Sequence, residues 1–158
     1  MATTRKPFEL GTVSEGTLRT EDLLEAFADA LERLAGTSDL VKDAHDLLMA
    51  NADWDWDDLG EAQQIVSDLE DALQEYCPPF VYFGAHPGDG ADFGFWPDHD
   101  ALQDALRYAR STDAVWGNDF PMVNDELLLE DDGVIVHVSD HGNVTVYDME
   151  RNELWSCV

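Results

Sequence analysis

Two short stretches of the sequence bring metal-ligand and acid–base side chains close together. Residues 86–92 read HPGDGAD, and residues 98–100 read DHD. A zinc site needs three or four converging ligands, and acid–base catalysis needs a histidine that a carboxylate holds in place. The two stretches therefore suggest one enzyme hypothesis, a metal-dependent hydrolase. The candidate residues are His86, Asp89, Asp92 and His99.

No catalytic motif accompanies these residues, and simpler roles account for them. Gly88 and Gly90 are typical of a hairpin connection, because glycine adopts the positive φ angles of tight turns. Asp98 and Asp100 suit the N-terminus of a helix. We therefore predict no catalytic residue and treat the hydrolase as the alternative.

The acidic stretch at 53–58, DWDWDD, resembles the first half of a calcium-binding loop. Its sixth position is Asp58, where the loop needs glycine, and its twelfth is Gln64, where it needs a bidentate glutamate. We predict no metal and no other cofactor. Trp54 and Trp56, if exposed beside these acids, would serve as anchors in a protein interface.

Charge is the strongest signal in the composition. The chain has 35 Asp and Glu against 8 Lys and Arg, a formal net charge of -27. Aromatic residues make up 10% of the chain, which distinguishes it from acidic disordered chains. Clusters of Lys and Arg, which bind phosphate groups, are missing, so we expect no direct contact with nucleic acid or an acidic membrane. We predict instead a basic protein partner.

Neither a signal peptide nor a membrane span is predicted, since no 18 consecutive residues are apolar. The two cysteines, Cys77 and Cys157, are too few for a disulfide framework. These features predict a cytoplasmic protein. Its oligomeric state is not predicted.

The first half of the chain has helical periodicity. Leu23, Phe27, Leu31 and Leu34 predict a helix from Thr20 to just before Gly36. A second helix is predicted over 38–50, with its apolar side at Leu40, Ala44, Leu47 and Leu48. A third is predicted from Asp58, where Asp58 and Glu61 have capping-box spacing, to Pro78, with its apolar side at Ala62, Ile65, Leu69 and Tyr76.

The second half has the alternating pattern of strands. Aromatic runs at 80–83 and 92–96 predict a hairpin, and Asp98 begins a helix that extends to about Arg110. Alternating valines predict a three-stranded C-terminal meander. The predicted class is α+β: a three-helix unit, then an antiparallel sheet with an inserted helix. We predict a flexible tail or edge strand at 1–19 and one domain at 20–158.

The acids of the third predicted helix recur at steps of three, four or seven residues and share one face. Together with the stretch at 53–58 they form the predicted partner-binding surface. Its residues are Asp53, Trp54, Asp55, Trp56, Asp57, Asp58, Glu61, Asp68, Asp71 and Glu75.

Two segments, YFGAHPGDGADFGFW at 82–96 and DHGNVTVY at 140–147, resemble small uncharacterised proteins of bacteriophages and mobile elements. The closing residues 153–155 share this resemblance. In size and acidity the chain is also similar to anti-CRISPR and antirestriction proteins, many of which are DNA mimics. These resemblances imply an inhibitor that evades host defence by binding a nucleic-acid-binding effector in the host cytoplasm.

Two other functions fit the charge. An immunity or antitoxin-like protein would sequester one basic partner without imitating nucleic acid. A halophilic domain would be acidic over its whole surface, and the even division of net charge between residues 20–76 (-15) and 77–158 (-13) agrees with that.

Overall fold

The computed structural model describes residues 6–50, 59–112, 126–129 and 131–158. The strands in these ranges form two antiparallel sheets, of order β1-β3-β2 and β4-β5-β6-β7, so the predicted α+β class is confirmed. The elements in chain order are β1 (Gly11–Ser14), α1 (Thr20–Ala35), α2 (Asp39–Ala50), α3 (Gly60–Glu75), β2 (Val81–His86), β3 (Asp89–Pro97), α4 (His99–Thr112), β4 (Glu126–Leu129), β5 (Val134–Val138), β6 (Val144–Asp148) and β7 (Glu153–Cys157).

The chain divides into two compact units. The helical unit comprises Gly11–Cys77 and Tyr82–Trp96, and the meander unit comprises Met1–Leu10, Pro78–Val81 and Pro97–Val158. The division of the sequence into a tail at 1–19 and one domain at 20–158 stays a prediction. Within that tail, β1 forms an edge strand of the three-stranded sheet.

Helix α1 is the centre of the helical unit, and it contacts β1, α2 and α3. Its buried side includes Leu24 and Phe27, both 0% exposed. The helix ends where Gly36 adopts φ 78°, a conformation that glycine takes without strain. Leu34, the last residue of the predicted apolar spacing, lies in the last turn of α1 and is 39% exposed.

The second and third helices begin and end close to the predicted residues. The Ser38 hydroxyl accepts a hydrogen bond from the Val41 amide at 3.3 Å, which caps α2. Helix α3 begins at Gly60 rather than at Asp58, which lies outside the described residues. Tyr76 was predicted to be inward but is 48% exposed; it is the C-cap residue that follows the last residue of α3, Glu75.

Aromatic rings fill the space between α1 and the three-stranded sheet. The ring of Phe27 lies 5.0 Å from that of Phe83 and 5.5 Å from that of Phe93, and Phe83 lies 5.0 Å from Phe95. These separations are typical of favourable aromatic pairs. A Cβ atom at Gly94 would overlap the Gly11 carbonyl, so β1 can lie against β3 only because residue 94 is glycine.

In the meander unit, helix α4 contacts β4 of the four-stranded sheet. The Asp98 carboxylate caps this helix by accepting a hydrogen bond from the Ala101 amide at 3.0 Å, as predicted. Val136, Val146 and Trp155 are opposite one another on β5, β6 and β7, and all three are buried. The Trp155 indole N–H donates to the Pro79 carbonyl at 2.8 Å, which satisfies its only polar atom.

Two details of the predicted strand arrangement differ from the structure. The hairpin of β2 and β3 belongs to its own sheet with β1, whereas one sheet was predicted for the hairpin and the meander. The meander has a fourth strand, β4, which pairs with β5 through Leu129 and Val134. Only four residues form this strand, too few for their alternation to be recognised in the sequence.

Candidate binding surface

Helix α3 carries four exposed carboxylates along one side, which we name the α3 row: Glu61, Asp68, Asp71 and Glu75. At about 100° per residue they fall within an arc of roughly 80°. The buried residues Ala62, Leu69 and Leu73 occupy a separate arc of the helix. Packing of the apolar side therefore holds the α3 row toward solvent.

No cation neutralises the α3 row within the ranges that the structure describes, since none of its members forms an ion pair there. Asp68 accepts a hydrogen bond from the Gln64 side-chain amide at 2.9 Å. The last turn of α3 contains no basic residue that could offset the negative end of the helix dipole. The row is thus available to cations of another molecule.

Glu70 lies between the α3 row and the core, and its side chain is half-buried. Burial raises the pKa of its carboxyl above the usual value, and the neighbouring charge of Asp71 adds to the rise. Negative charge on this part of α3 is therefore unfavourable for the folded state.

A second series of carboxylates lies on α1, which the sequence analysis missed. Asp22, Glu25, Asp29 and Glu32 recur at steps of three, four and three residues, and Glu25 and Asp29 are exposed. We name them the α1 row. They share an arc of about 80°, and the spacing alone would have identified them.

The α1 row borders a groove of about 300 Å³ in the helical unit. One wall is Val13 of β1, so the groove follows the junction of the edge strand with α1. Asp22 is held in position by a hydrogen bond of 2.7 Å from the Thr17 hydroxyl. The complete lining is Val13, Asp22, Glu25, Ala26, Asp29 and Arg33.

The other part of the predicted surface, the stretch 53–58, lies outside the described residues. The four predicted acids and both tryptophans of this stretch are therefore not described by the structure. Their role as partner contacts stays a prediction. The residues concerned are Asp53, Trp54, Asp55, Trp56, Asp57 and Asp58.

The structure places the residues of the hydrolase alternative at the hairpin and at the start of α4. His86 Nδ1 accepts a hydrogen bond from the Gly88 amide at 3.0 Å, and its ring lies 4.7 Å from that of Trp96. The Asp89 carboxylate accepts from the Ala91 amide at 3.0 Å. Within the residues that the structure describes, the ligand atoms of His86, Asp89 and Asp92 do not all lie within 4.8 Å of one another. His99 is the first residue of α4.

The two thiols are half-buried. Burial raises the pKa of Cys77 to about 12, and its Sγ–H donates to the Leu73 carbonyl at 3.6 Å. Burial also raises the pKa of Cys157. Both thiols therefore stay protonated at neutral pH, where a nucleophile would need the thiolate.

The acidity is greater in one unit than in the other. The helical unit contains 20 of the 35 acidic residues and three of the eight basic ones, a net charge of -17. The meander unit has a net charge of -10. The two halves of the sequence have nearly equal net charges, but the two structural units do not. The excess of negative charge lies in the unit that carries both rows.

Among the described helices, none has the length and apolar character that crossing a membrane requires. The chain was compared with protein-family models, with curated proteins and with solved structures, and none of the three comparisons gave a match.

Proposed function

We propose that this protein is an acidic inhibitor of the anti-CRISPR or antirestriction type, which binds the basic nucleic-acid-binding surface of a bacterial defence complex. The observation that carries the proposal is the α3 row, four exposed carboxylates on one side of a helix without a neutralising cation in the described residues. Its carboxylates would replace phosphates, and Lys and Arg of the partner's channel would pair with them.

The spacing of the carboxylates supports mimicry by several elements together. From Glu61 to Glu75 the α3 row extends about 21 Å at 1.5 Å per residue, and from Asp22 to Glu32 the α1 row extends about 15 Å. The mean spacing between charges is thus about 7 Å in the α3 row and about 5 Å in the α1 row, whereas duplex DNA has one charge per ~1.7 Å when both strands are counted. A charge density close to that of DNA requires both rows and a further acidic segment, for which the stretch 53–58 is the proposed source.

The unequal charge of the two units supports a binding surface over a halophilic adaptation. Adaptation to salt requires acidity over the whole surface, whereas a binding protein needs it at one place. The helical unit, with net charge -17, carries both rows. A surface of this charge would attract a basic cleft over a distance of about a Debye length and accelerate association.

The proposal is tested by affinity capture of partners from a bacterial lysate with matched charge variants. In one variant the α3 row is reversed to lysine: Glu61→Lys, Asp68→Lys, Asp71→Lys and Glu75→Lys. The control reverses four exposed acids in the turns of the meander unit, which gives the same change in net charge: Asp131→Lys, Asp132→Lys, Asp140→Lys and Glu150→Lys.

We expect the unchanged protein and the control to retain a nucleic-acid-binding effector at low salt and to release it at high salt. The α3-row variant should retain none of it while its circular dichroism stays helical. Equal retention by the α3-row variant would show that this surface is the wrong one. Equal loss in both variants would show that total charge, not the row, controls binding.

A further inference from the structure

Helices α1 and α2 bring three side chains of different types together where the two helices contact each other. The carboxylates of Asp29 and Glu32 come from α1, and the imidazole of His45 comes from α2. One ligand atom from each lies within 4.8 Å of the other two. We propose that these three residues form a binding site for a zinc ion. Two of them, Asp29 and Glu32, also belong to the α1 row.

The distance between two of the ligand atoms matches zinc coordination. His45 Nε2 and Asp29 Oδ1 pair with each other at 3.3 Å, a contact that a bound ion would replace. Two ligand atoms that are each about 2.1 Å from a tetrahedral zinc ion lie about 3.4 Å apart. An ion can therefore enter between them, and a ligand atom of Glu32 lies within 4.8 Å of both.

A hydrogen bond from outside the three residues orients the third ligand. The Thr37 hydroxyl donates to Glu32 Oε1 at 2.7 Å. Hydrogen bonds of this kind orient the carboxylates of metal sites and increase metal affinity. Thr37 lies in the short connection between α1 and α2, so the same segment that joins the helices holds this carboxylate.

The donor set selects the type of metal. Calcium and magnesium prefer oxygen ligands alone, whereas an imidazole together with carboxylates suits zinc. The side chain of Asp29 is 50% exposed and that of His45 is 37% exposed, so water completes the coordination sphere. A bound ion would link α2 to α1 and offset two negative charges of the helical unit.

Zinc binding is measured by isothermal titration of the full chain, without an affinity tag and after removal of metals with a chelator. The test variant is Asp29→Asn with His45→Gln. Its control is Asp140→Asn with His141→Gln, which makes the same chemical changes at exposed turn residues of the meander unit. Co²⁺, whose visible absorption reports tetrahedral coordination, is the second probe.

We expect one zinc ion per chain for the unchanged protein and the control, and at least tenfold weaker binding for the test variant. Glu32→Gln, which preserves side-chain shape, should weaken binding as well, and circular dichroism confirms that each variant is folded. No saturable binding by the unchanged protein would overturn the proposal. Weak binding of several ions that the test variant leaves unaltered would overturn it too, because it would reflect general acidity.

Discussion

The α3 row should reduce the stability of the protein that carries it. Asp71 and Glu75 are four residues apart, and Asp68 and Asp71 are three apart, so two like-charge pairs lie on one side of α3. Each pair costs about 0.2–0.5 kcal/mol. Glu75 lies in the last turn, near the negative end of the helix dipole, which adds about 0.3–1 kcal/mol.

The double variant Asp71→Asn with Glu75→Gln removes these repulsions. We expect its free energy of unfolding at low salt to rise by about 1 kcal/mol, with an increase in Tm of roughly 2–4 °C. In 1 M salt the Debye length falls to about 3 Å, so most of the increase should disappear. Urea, which is uncharged, is the denaturant that leaves the ionic strength unchanged.

The matched control is Glu61→Gln, in the first turn of the same helix. There a negative charge is favourable, so this variant should lose about 0.3–1 kcal/mol at low salt. The reasoning is refuted if the double variant is no more stable than the unchanged protein, or if its increase persists in 1 M salt. Opposite signs at the two ends of α3 would show that Asp71 and Glu75 reduce the stability of the protein while Glu61 increases it.

Three further predictions follow from the described residues. Gly94→Ala should separate β1 from β3 and reduce stability by about 1–3 kcal/mol, whereas Gly90→Ala, with no neighbouring atom within 4 Å, should have little effect in the same urea titration. Glu70→Gln should raise the free energy of unfolding at pH 7 but not at pH 4. The pKa of the Glu70 carboxyl is raised in the folded protein, so the stability present when it is protonated is lost as pH rises through that pKa, and glutamine avoids this loss. An equal increase in the free energy of unfolding at both pH values would contradict this reasoning. Because burial raises the pKa of Cys77 to about 12, the native thiol should react with iodoacetamide at pH 8 far more slowly than the thiol of the urea-unfolded chain; equal rates would show that the thiol is accessible and ionised.

The sequence predicted the elements whose signals are local. The helical spacing of Leu23, Phe27 and Leu31 with Gly36 predicted α1, and Asp98 predicted the start of α4. The exposed side of α3 was also predictable, because a helix buries its apolar stripe and leaves the opposite arc to solvent. These inferences need only the period of a helix and the chemistry of its ends.

Features that depend on tertiary contacts were not predictable. The assignment of β1 to the sheet of the hairpin depends on Gly94, whose missing side chain matters only once β1 lies against it. Likewise the group of Asp29, Glu32 and His45 forms because α1 and α2 pack together, and no sequence motif contains it. The α1 row differs from these features, because its spacing of three, four and three residues is local and visible in the sequence.

Competition between duplex nucleic acid and this protein for a captured partner tests the central claim most directly. If the carboxylates of the helical unit imitate phosphates, excess duplex should displace the protein from its partner, and the protein should in turn inhibit nucleic-acid binding by that partner. A complex that persists in saturating duplex would contradict mimicry and would instead indicate an immunity-type protein bound at a separate basic surface.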